Sequence, residues 1–345
     1  MFNIKFNQKN KLRVFEGFSG IGSQRMSLEN IGVPHEVVAI SEIDKFAIKS
    51  YMAIHGETLN LGDISKIDIS DIPDHDLFTY SFPCQDVSLD GSLGGMKEDS
   101  NTRSSLLWDC KRIIEGKKPK YLLLENVTSL VNKRHKPDFD KWLEWLESQG
   151  YANYTEILNS IDFGIPQNRK RVFVVSILND DSGFEFTKSR NTFVPSLIDF
   201  MEYDVDESYY LTKERFEKLT VREETVDLSD CEEYKFLIRN ATTRGYLEAN
   251  VGDGISMTHI ASKTRRGRVQ KQSVPTLQSK EPIGVVDNKG IRRLTPNEYW
   301  RLMGISDEYF KKAESVTSNK QLYKQAGNSI VVNVLEDIFK NMFID

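Results

Sequence analysis

A cysteine and a carboxylate stand after two short apolar runs of the sequence, where each could act on a bound substrate. Cys84 comes soon after the run at 77–80, and Glu125 follows the run at 121–124. A thiolate is a nucleophile, and a carboxyl group whose pKa is raised by burial can act as a general acid or base. These positions predict nucleophilic chemistry with a proton donor nearby. From the residues alone, a buried structural cysteine and a turn-capping glutamate remain alternatives.

A glycine-rich turn follows the first apolar run and reads Gly-Phe-Ser-Gly-Ile-Gly at 17–22. Glycines let a backbone approach a ligand closely. Their order differs from the G-x-G-x-x-G of dinucleotide folds, since Arg25 stands at the third position, and this disfavours a nicotinamide dehydrogenase. Glu42 lies about 20 residues downstream, where an acid can accept both hydroxyls of a ribose. The turn and Glu42 together predict a cofactor that contains a nucleoside, with a tight turn that binds nothing as the alternative.

Short apolar runs alternate with helix-like stretches through the first half of the chain, which predicts the elements that position these residues. The runs are β-branched or aromatic and are bounded by turn residues, and they lie at 12–15, 37–40, 77–80, 121–124 and 172–177. This pattern is typical of a doubly wound α/β fold with a mostly parallel sheet. Ligands of such sheets bind at the carboxyl ends of the strands. The predicted helices cover residues 23–31, 44–55, 138–148 and 328–343.

The alternation stops near residue 180, and the chain divides there into two predicted domains. The first comprises residues 1–180 plus 318–345, and a second, smaller domain comprises residues 181–317. Within the smaller domain the charge reverses. Residues 202–233 carry twelve acids and four bases, a net charge of −8, whereas residues 259–293 carry nine bases and two acids, a net charge of +7. The basic stretch could bind phosphates, although a solvated basic loop remains the alternative.

The composition is that of a water-soluble globular protein. Hydrophobic residues make up 39% and charged residues 28% of the chain, with a net charge of −5. No run approaches the ~20 apolar residues of a membrane-spanning helix, and no secretory signal is visible. The three cysteines form no C-x-x-C pair, so we expect no disulfide scaffold, no metal site and a reducing cytoplasmic location.

Five ordered motifs resemble those of the DNA (cytosine-5) methyltransferase family, of the bacterial or phage type. They are Phe-Ser-Gly-Ile-Gly at 18–22, Pro-Cys-Gln at 83–85, Glu-Asn-Val at 125–127, Gln-Asn-Arg-Lys-Arg at 167–171 and Gln-Ala-Gly-Asn-Ser at 325–329. The resemblance covers about residues 11–178 and 290–345 and is closest in wording to mollicute-type CpG enzymes. It implies a Rossmann-like methyltransferase fold, S-adenosylmethionine as cofactor and a smaller target-recognition domain. The region between 180 and 290 does not follow those enzymes, so no recognition sequence is implied.

The resemblance also implies catalytic roles. Cys84 would add to carbon 6 of cytosine, Glu125 would hydrogen-bond or protonate the ring nitrogen, and Asn126 would orient that carboxyl. Arg169 and Arg171 would supply positive charge near the thiolate, and the second of them would contact the cytosine carbonyl oxygen.

The implied cofactor residues line the turn and the strand ends, and they are Phe18, Gly20, Ile21, Gly22, Glu42, Ile43, Asp63, Ile64, Pro83, Leu106, Asn328 and Ser329. The substrate would be double-stranded DNA, from which the target nucleotide is rotated out of the helix. The expected DNA-contacting residues are Gln85, Ser88, Arg265, Arg266, Arg268, Thr276 and Leu277.

Three substitutions depart from the family pattern without removing a reacting group: Ser81, Gly17 and Glu16. We expect a monomer, with a cognate restriction endonuclease as a separate partner. The alternatives are a relative that methylates tRNA and a DNA-binding regulator without catalytic activity.

Overall fold

The computed structural model describes residues 5–82, 106–180, 183–187, 195–225, 235–260, 262, 264–278 and 283–344. The strands of its first half are β1 (Leu12–Gly17), β2 (His35–Ser41), β3 (Leu77–Tyr80), β4 (Tyr121–Val127), β5 (Tyr151–Asn159), β6 (Gln167–Asn168) and β7 (Lys170–Leu178). Six of them form the main sheet in the order β2-β1-β3-β4-β7-β5. The first four strands in that order run parallel, whereas β7 is antiparallel to both β4 and β5.

The prediction of a doubly wound, mostly parallel α/β sheet is confirmed, with two differences. β7 was included in the parallel set but is antiparallel, because the connection from β5 is too short for the crossover that parallel neighbours need. β5 was not predicted. It is an edge strand whose solvent-facing positions, such as Thr155 and Glu156, interrupt any apolar run.

The helices are α1 (Ser23–Asn30), α2 (Lys45–His55), α3 (Leu106–Lys117), α4 (Lys136–Ser148), α5 (Lys213–Leu219), α6 (Pro296–Arg301), α7 (Asp307–Glu314), α8 (Asn319–Asn328) and α9 (Val332–Phe343). Alternate residues of each sheet strand face opposite layers. Val14 and Leu123 belong to a hydrophobic cluster that includes α1 and α9, whereas Phe15 and Leu124 belong to one that includes α3 and α4. The sheet is therefore covered on both faces, as its apolar strands require.

The predicted final helix at 328–343 begins four residues later, at Val332. Asn328 ends α8 instead of beginning the last helix, Ser329 is extended, and α9 begins at Val332. The guanidinium of Arg169 binds the carbonyl oxygens of Gly327 and Ser329, which holds the backbone out of a continuous helix at this point.

The smaller strands are β8 (Phe236–Arg239), β9 (Tyr246–Ala249), β10 (Gly254–Ser256), β11 (Val269–Gln270), β12 (Val274–Pro275), β13 (Ile283–Val286) and β14 (Ile291–Arg293). Four of them form an antiparallel sheet in the order β11-β10-β13-β14, and β8 pairs with β9. Ile238, Ile255 and Val286 form a separate hydrophobic cluster there. Trp300 and Phe310, which precede the predicted boundary at 317, share a hydrophobic cluster with α9, and so do Val274 and Val285.

Candidate active site

The glycine-rich turn between β1 and α1 has an open side. Phe18, Gly20 and Gly22 all have positive φ angles, of 55°, 56° and 81°. A Cβ atom added to Gly22 would lie 2.5 Å from Nε2 of His55, so this position has no room for a side chain. A Cβ on Gly20 would meet no atom within 4 Å. The turn is therefore packed against the protein at Gly22 and open at Gly20.

Glu42, directly after β2, organises the backbone around this turn. One carboxylate oxygen accepts the Gly20 N–H at 2.9 Å, and the other accepts the N–H groups of Ile43 and Asp44 at 2.8 Å. Asp44 caps the N-terminus of α2 through its own side chain. Ile43 is 74% exposed, which leaves a large apolar side chain uncovered beside the carboxylate. An acid next to an exposed apolar surface suits a ribose and an adenine ring.

Asn60, which the sequence did not single out, connects Glu42 to the segment that carries Asp63. The Asn60 side chain accepts the N–H groups of Glu42 and Gly62 and donates to the Glu42 carbonyl oxygen at 3.0 Å. Asp63 accepts hydrogen bonds from the Ser65 backbone and hydroxyl, and these bonds lower the pKa of Asp63. Only the general turn character of residues 59–63 could have pointed to Asn60.

Two further predicted cofactor positions pack below this segment. Ile64 is buried and Leu106 is partly buried, and both belong to the hydrophobic layer that contains α3. At the other end of the chain, Ser329 donates its hydroxyl to the Gln325 carbonyl oxygen, and the Gln325 amide donates to the Phe46 carbonyl in α2. The structure therefore brings the 325–329 motif against α2, while Asn328 itself is exposed.

Glu125 lies in β4, two residues before its end, and is 8% exposed. Burial raises the pKa of its carboxyl, although the charges of Arg171 and Arg169 and a hydrogen bond with Ser81 oppose the increase. Arg171 Nε lies 3.3 Å from Glu125 Oε1. The antiparallel register places Arg171 opposite Val127, which explains how β7 brings a guanidinium to this carboxyl. A buried carboxyl with a raised pKa can keep a proton that it later donates.

Asn126 connects β4 to the segment that leads towards Cys84. Its Nδ2 donates to the Phe82 carbonyl oxygen at 3.0 Å, and its Oδ1 accepts the Val127 N–H. Phe82 is the last described residue before the Pro-Cys-Gln motif. Four predicted site residues, namely Pro83, Cys84, Gln85 and Ser88, lie outside the described residues.

Arg169 is buried and joins distant segments of the chain. Its guanidinium donates to the carbonyl oxygens of Leu277, Gly327 and Ser329, at 3.4, 3.1 and 2.8 Å. These contacts hold the backbone of Leu277 and of the 325–329 motif beside the start of β7. Arg169 therefore places a positive charge near Glu125, while its N–H groups hold backbone carbonyl groups in place.

Two residues predicted to contact DNA face the protein interior, which corrects those predictions. Arg268 is 0% exposed and Leu277 is 1% exposed. The Arg268 guanidinium donates to backbone carbonyl oxygens, and the Leu277 N–H donates to the side chain of Gln167. Arg265 and Arg266 are exposed. The Thr276 hydroxyl donates to the Asn168 carbonyl oxygen at 2.8 Å.

Within the described part of the chain, no group of three or more histidine, cysteine, aspartate or glutamate side chains could hold a metal ion. No helix of that part is long and apolar enough to cross a membrane.

Comparisons with known proteins identify the family of this chain. The family model described as C-5 cytosine-specific DNA methylase matches residues 12–344. Type II methyltransferase M2.ScrFI of Lactococcus lactis subsp. cremoris is 41% identical over 96% of this chain and 99% of its own length. Type II methyltransferase M.HhaI of Haemophilus parahaemolyticus is 32% identical over 99% of this chain and 97% of its own length.

Solved structures show the same fold. The Entamoeba histolytica methyltransferase EhMeth superposes with a TM-score of 0.69 at 21% identity, over 96% of this chain and 98% of that one. The S. pombe Dnmt2 methyltransferase superposes with a TM-score of 0.63 at 20% identity, over 96% of this chain and 97% of that one. The chain therefore belongs to the C-5 cytosine-specific DNA methylase family and is a DNA (cytosine-5)-methyltransferase that uses S-adenosylmethionine.

Proposed function

We propose that this enzyme rotates one cytosine out of a short sequence of duplex DNA and methylates its carbon 5 with Cys84 as the nucleophile. The observation that carries the proposal is the buried Glu125 carboxyl, with its raised pKa and with Arg171 Nε at 3.3 Å. A base inside a duplex is inaccessible to a side chain, so the nucleotide must leave the stack, at a cost of about a few kcal/mol.

Carbon 5 of cytosine is a poor nucleophile until the ring is activated. The Cys84 thiolate adds to carbon 6, and the electron pair of the C5–C6 double bond becomes available for attack at carbon 5. Negative charge develops on the ring nitrogen and the carbonyl oxygen as the thiolate adds. Glu125 donates its proton or a hydrogen bond to the nitrogen, and Arg171 contacts the oxygen. Carbon 5 forms its new bond to the methyl group with this electron pair. A base then removes the carbon 5 proton, the C5–C6 double bond forms again, and the bond between carbon 6 and the Cys84 sulfur breaks.

Two residues position this chemistry without touching the base. Asn126 holds the Phe82 carbonyl, two residues along the chain from Cys84, and so connects the nucleophile's segment to the strand of Glu125. Arg169 fixes the 327–329 backbone beside β7. Both contacts help to keep Glu125 at a fixed position relative to the neighbouring segments.

S-adenosylmethionine supplies an electrophilic methyl group when it is bound. The open space beside Gly20 and the exposed Ile43 fit this cofactor, with Glu42 on the ribose hydroxyls and Asp63 accepting from the adenine amino group. The other residues proposed to line or close this pocket are Phe18, Ile21, Gly22, Ile64, Pro83, Leu106, Asn328 and Ser329.

The proposed DNA contacts are revised by the burial of two residues. Arg265 and Arg266 contact phosphates or guanine edges, with Thr276 nearby, and Gln85 and Ser88 act from the other side of the DNA. Arg268 and Leu277 leave this set because they are buried.

We further propose a monomer that acts in the cytoplasm of a bacterial or phage-infected cell. A separate restriction endonuclease is its proposed partner, since M2.ScrFI and M.HhaI are both named type II methyltransferases.

Bisulfite sequencing of duplex DNA treated with the protein and S-adenosylmethionine tests the proposal. We expect protected cytosines within one short sequence context and none without the cofactor. Methylation scattered over all contexts contradicts the proposed recognition of a short sequence. Methyl incorporation into tRNA but not into duplex DNA contradicts the proposed substrate.

A further inference from the structure

Arg268 lies at the end of the connection between β10 and β11, which also carries Arg265 and Arg266. We call the described residues of this connection that precede Arg268, namely 257–260, 262 and 264–267, the arginine loop. The two strands pair antiparallel, with Gly254 opposite Gln270, and the Ser256 N–H donates to the Arg268 carbonyl at 2.8 Å. The side chain of Arg268 therefore starts from the base of the loop.

The guanidinium of Arg268 fills the inside of the arginine loop. Its Nη1 donates to the Thr258 carbonyl oxygen at 3.1 Å, and its Nη2 donates to the carbonyls of His259 and Ile260 at 2.8 and 3.3 Å. The side chain is completely buried. Three successive carbonyl groups of the loop thus face one positive charge.

A second fully buried arginine, Arg292, has a different environment. Arg292 lies against two carboxylates, with Glu298 at 2.7 Å and Asp287 at 2.8 Å. Arg268 has no carboxylate partner among the described residues, and burial together with the charges of Arg265 and Arg239 lowers the pKa of its guanidinium. A buried charge needs compensation, and here backbone carbonyl dipoles provide it. The loop conformation and the arginine therefore depend on each other.

One residue of the loop has a strained backbone. His259 has a φ of 46°, in the left-handed region that residues other than glycine seldom adopt. Its carbonyl accepts the shortest of the three bonds from Arg268. The bond stabilises a backbone conformation that the residue itself disfavours.

The same backbone determines where the two exposed arginines stand. The Arg265 carbonyl accepts the Ala241 N–H at 2.8 Å, and Arg266 Nε donates to the Ala241 carbonyl at 3.0 Å. The arginine loop is thus supported from inside by Arg268 and from one side by the connection between β8 and β9. The backbone that carries Arg265 and Arg266 is therefore held by both contacts.

We propose that Arg268 is a positioning residue for DNA binding, which holds the 258–260 carbonyls so that Arg265 and Arg266 reach the DNA. The inference rests on the proposed DNA contacts of Arg265 and Arg266. It assigns a different role to the third arginine of the same stretch, which acts through the loop and touches no DNA.

The test compares Arg268→Lys, the double variant Arg265→Ala/Arg266→Ala and the triple variant that combines them, all in the full-length enzyme. Lysine keeps the charge but lacks the planar fork that binds several carbonyls. The dissociation constant is measured for a duplex carrying the sequence that bisulfite sequencing identifies, at several salt concentrations. Arg215→Lys, at an exposed position of α5, is the matched control.

We expect Arg268→Lys to weaken DNA binding about tenfold to hundredfold and to reduce its salt dependence, as the double variant does. The KM for S-adenosylmethionine stays at the wild-type value. The triple variant binds DNA no more weakly than the double variant, because Arg268 acts through the side chains already removed. A merely structural destabilisation, or a direct DNA contact by Arg268, gives additive losses and overturns the proposal.

Two further outcomes separate the inference from the proposed function. Wild-type DNA affinity for Arg268→Lys beside a weakened double variant overturns the inference alone. Wild-type affinity for the double variant overturns the proposed DNA contacts and the inference with them.

A second pair of variants leaves the buried arginine in place. Valine is strongly disfavoured at a positive φ, whereas glycine is not. Because His259 is exposed, neither replacement disturbs the core. We expect His259→Val to weaken DNA binding severalfold in the wild-type background and not in the double variant, and His259→Gly to bind normally. Equal DNA affinities for the valine and glycine variants contradict the role of the loop backbone.

Discussion

The glycine-rich turn and the arginine loop fix their backbones with opposite charges. At the turn, the Glu42 carboxylate gathers three N–H groups, from Gly20, Ile43 and Asp44. In the arginine loop, the Arg268 guanidinium gathers carbonyl groups. Glu42 remains beside an open space and can still meet a ligand, whereas Arg268 is enclosed. A charged residue in a motif can therefore contact a ligand or support the residues that do, and the side chains of Glu42 and Arg268 differ in whether an open space remains beside them.

The largest effect is expected where the main sheet carries the general acid. Glu125→Gln retains the shape of the side chain but removes the acidic proton, and we expect kcat to fall about a thousandfold, within the range for a lost general acid. The KM values for DNA and S-adenosylmethionine change little. Steady-state kinetics measure this, with Glu36→Gln, at an exposed position of β2, as the control. A kcat within a few-fold of the wild type contradicts the assigned role.

A pH effect is expected beneath the glycine-rich turn. Burial raises the pKa of Glu16 from 4.5 to about 7, and its carboxyl accepts the Tyr51 hydroxyl and the Arg25 N–H. The unfolded chain releases this proton near pH 4.5 and the folded chain near pH 7, so the free energy of unfolding falls as pH rises through this window. The free energy of unfolding decreases by about 3 kcal/mol over this window because of Glu16.

Glu16→Gln removes this titration and should flatten the decline between pH 4.5 and 7. Chemical denaturation at a series of pH values measures it, and Glu36→Gln should reproduce the wild-type profile. Parallel profiles for the wild type and Glu16→Gln would show that the Glu16 pKa is not raised.

The turn itself is tested by an added methyl group. In Gly22→Ala the new Cβ approaches His55, and the residue keeps a φ of 81° that alanine disfavours. We expect the affinity for S-adenosylmethionine to fall about fivefold to thirtyfold, from strain of about 1–2 kcal/mol. Gly32→Ala has the matching control geometry, a φ of 71° with no atom within 4 Å of the Cβ. Equal cofactor affinities in the two variants, measured by calorimetry, contradict a tight fit at Gly22.

The smallest effect is expected from the exposed apolar side chain beside Glu42. Ile43→Ser removes apolar surface that the proposed adenine contact covers, and we expect a loss of cofactor affinity of about fivefold to tenfold. Protein stability should stay unchanged, because Ile43 is 74% exposed. Ile198, which is 40% exposed in the segment between β7 and α5, provides the control as Ile198→Ser. Unchanged cofactor affinity of Ile43→Ser would remove Ile43 from the pocket.

Local signals in the sequence were sufficient to predict the glycine-rich turn and the position of Glu42 after β2. Gly20 and Gly22 indicate a turn that needs positive φ angles. Glu42 could be selected because it comes directly after an apolar run. Both kinds of signal depend on neighbours close along the chain. The parallel part of the sheet was predictable for the same reason, since its strands are buried on both faces and consist of apolar runs.

Tertiary contacts decided what the sequence did not predict. At the break between α8 and α9, two carbonyl oxygens accept hydrogen bonds from Arg169, which is more than 150 residues away along the chain. The four arginines and lysines of the stretch 263–268 look equivalent in the sequence, and only the fold reveals that Arg268 points inward. Asn60 belongs to no recognisable motif. Its side chain connects two backbone segments, and that role is visible only in the fold.

The central claim is that a cysteine forms a covalent bond to the target base, and a fluorinated substrate tests it most directly. Fluorine at carbon 5 of the target cytosine cannot leave as a proton does, so the thiolate is not expelled after methyl transfer. With S-adenosylmethionine, we predict a protein–DNA adduct that survives denaturing electrophoresis for the wild type and is missing for Cys84→Ala. The absence of an adduct with enzyme that methylates the unmodified duplex, or an adduct formed by Cys84→Ala, would contradict the account.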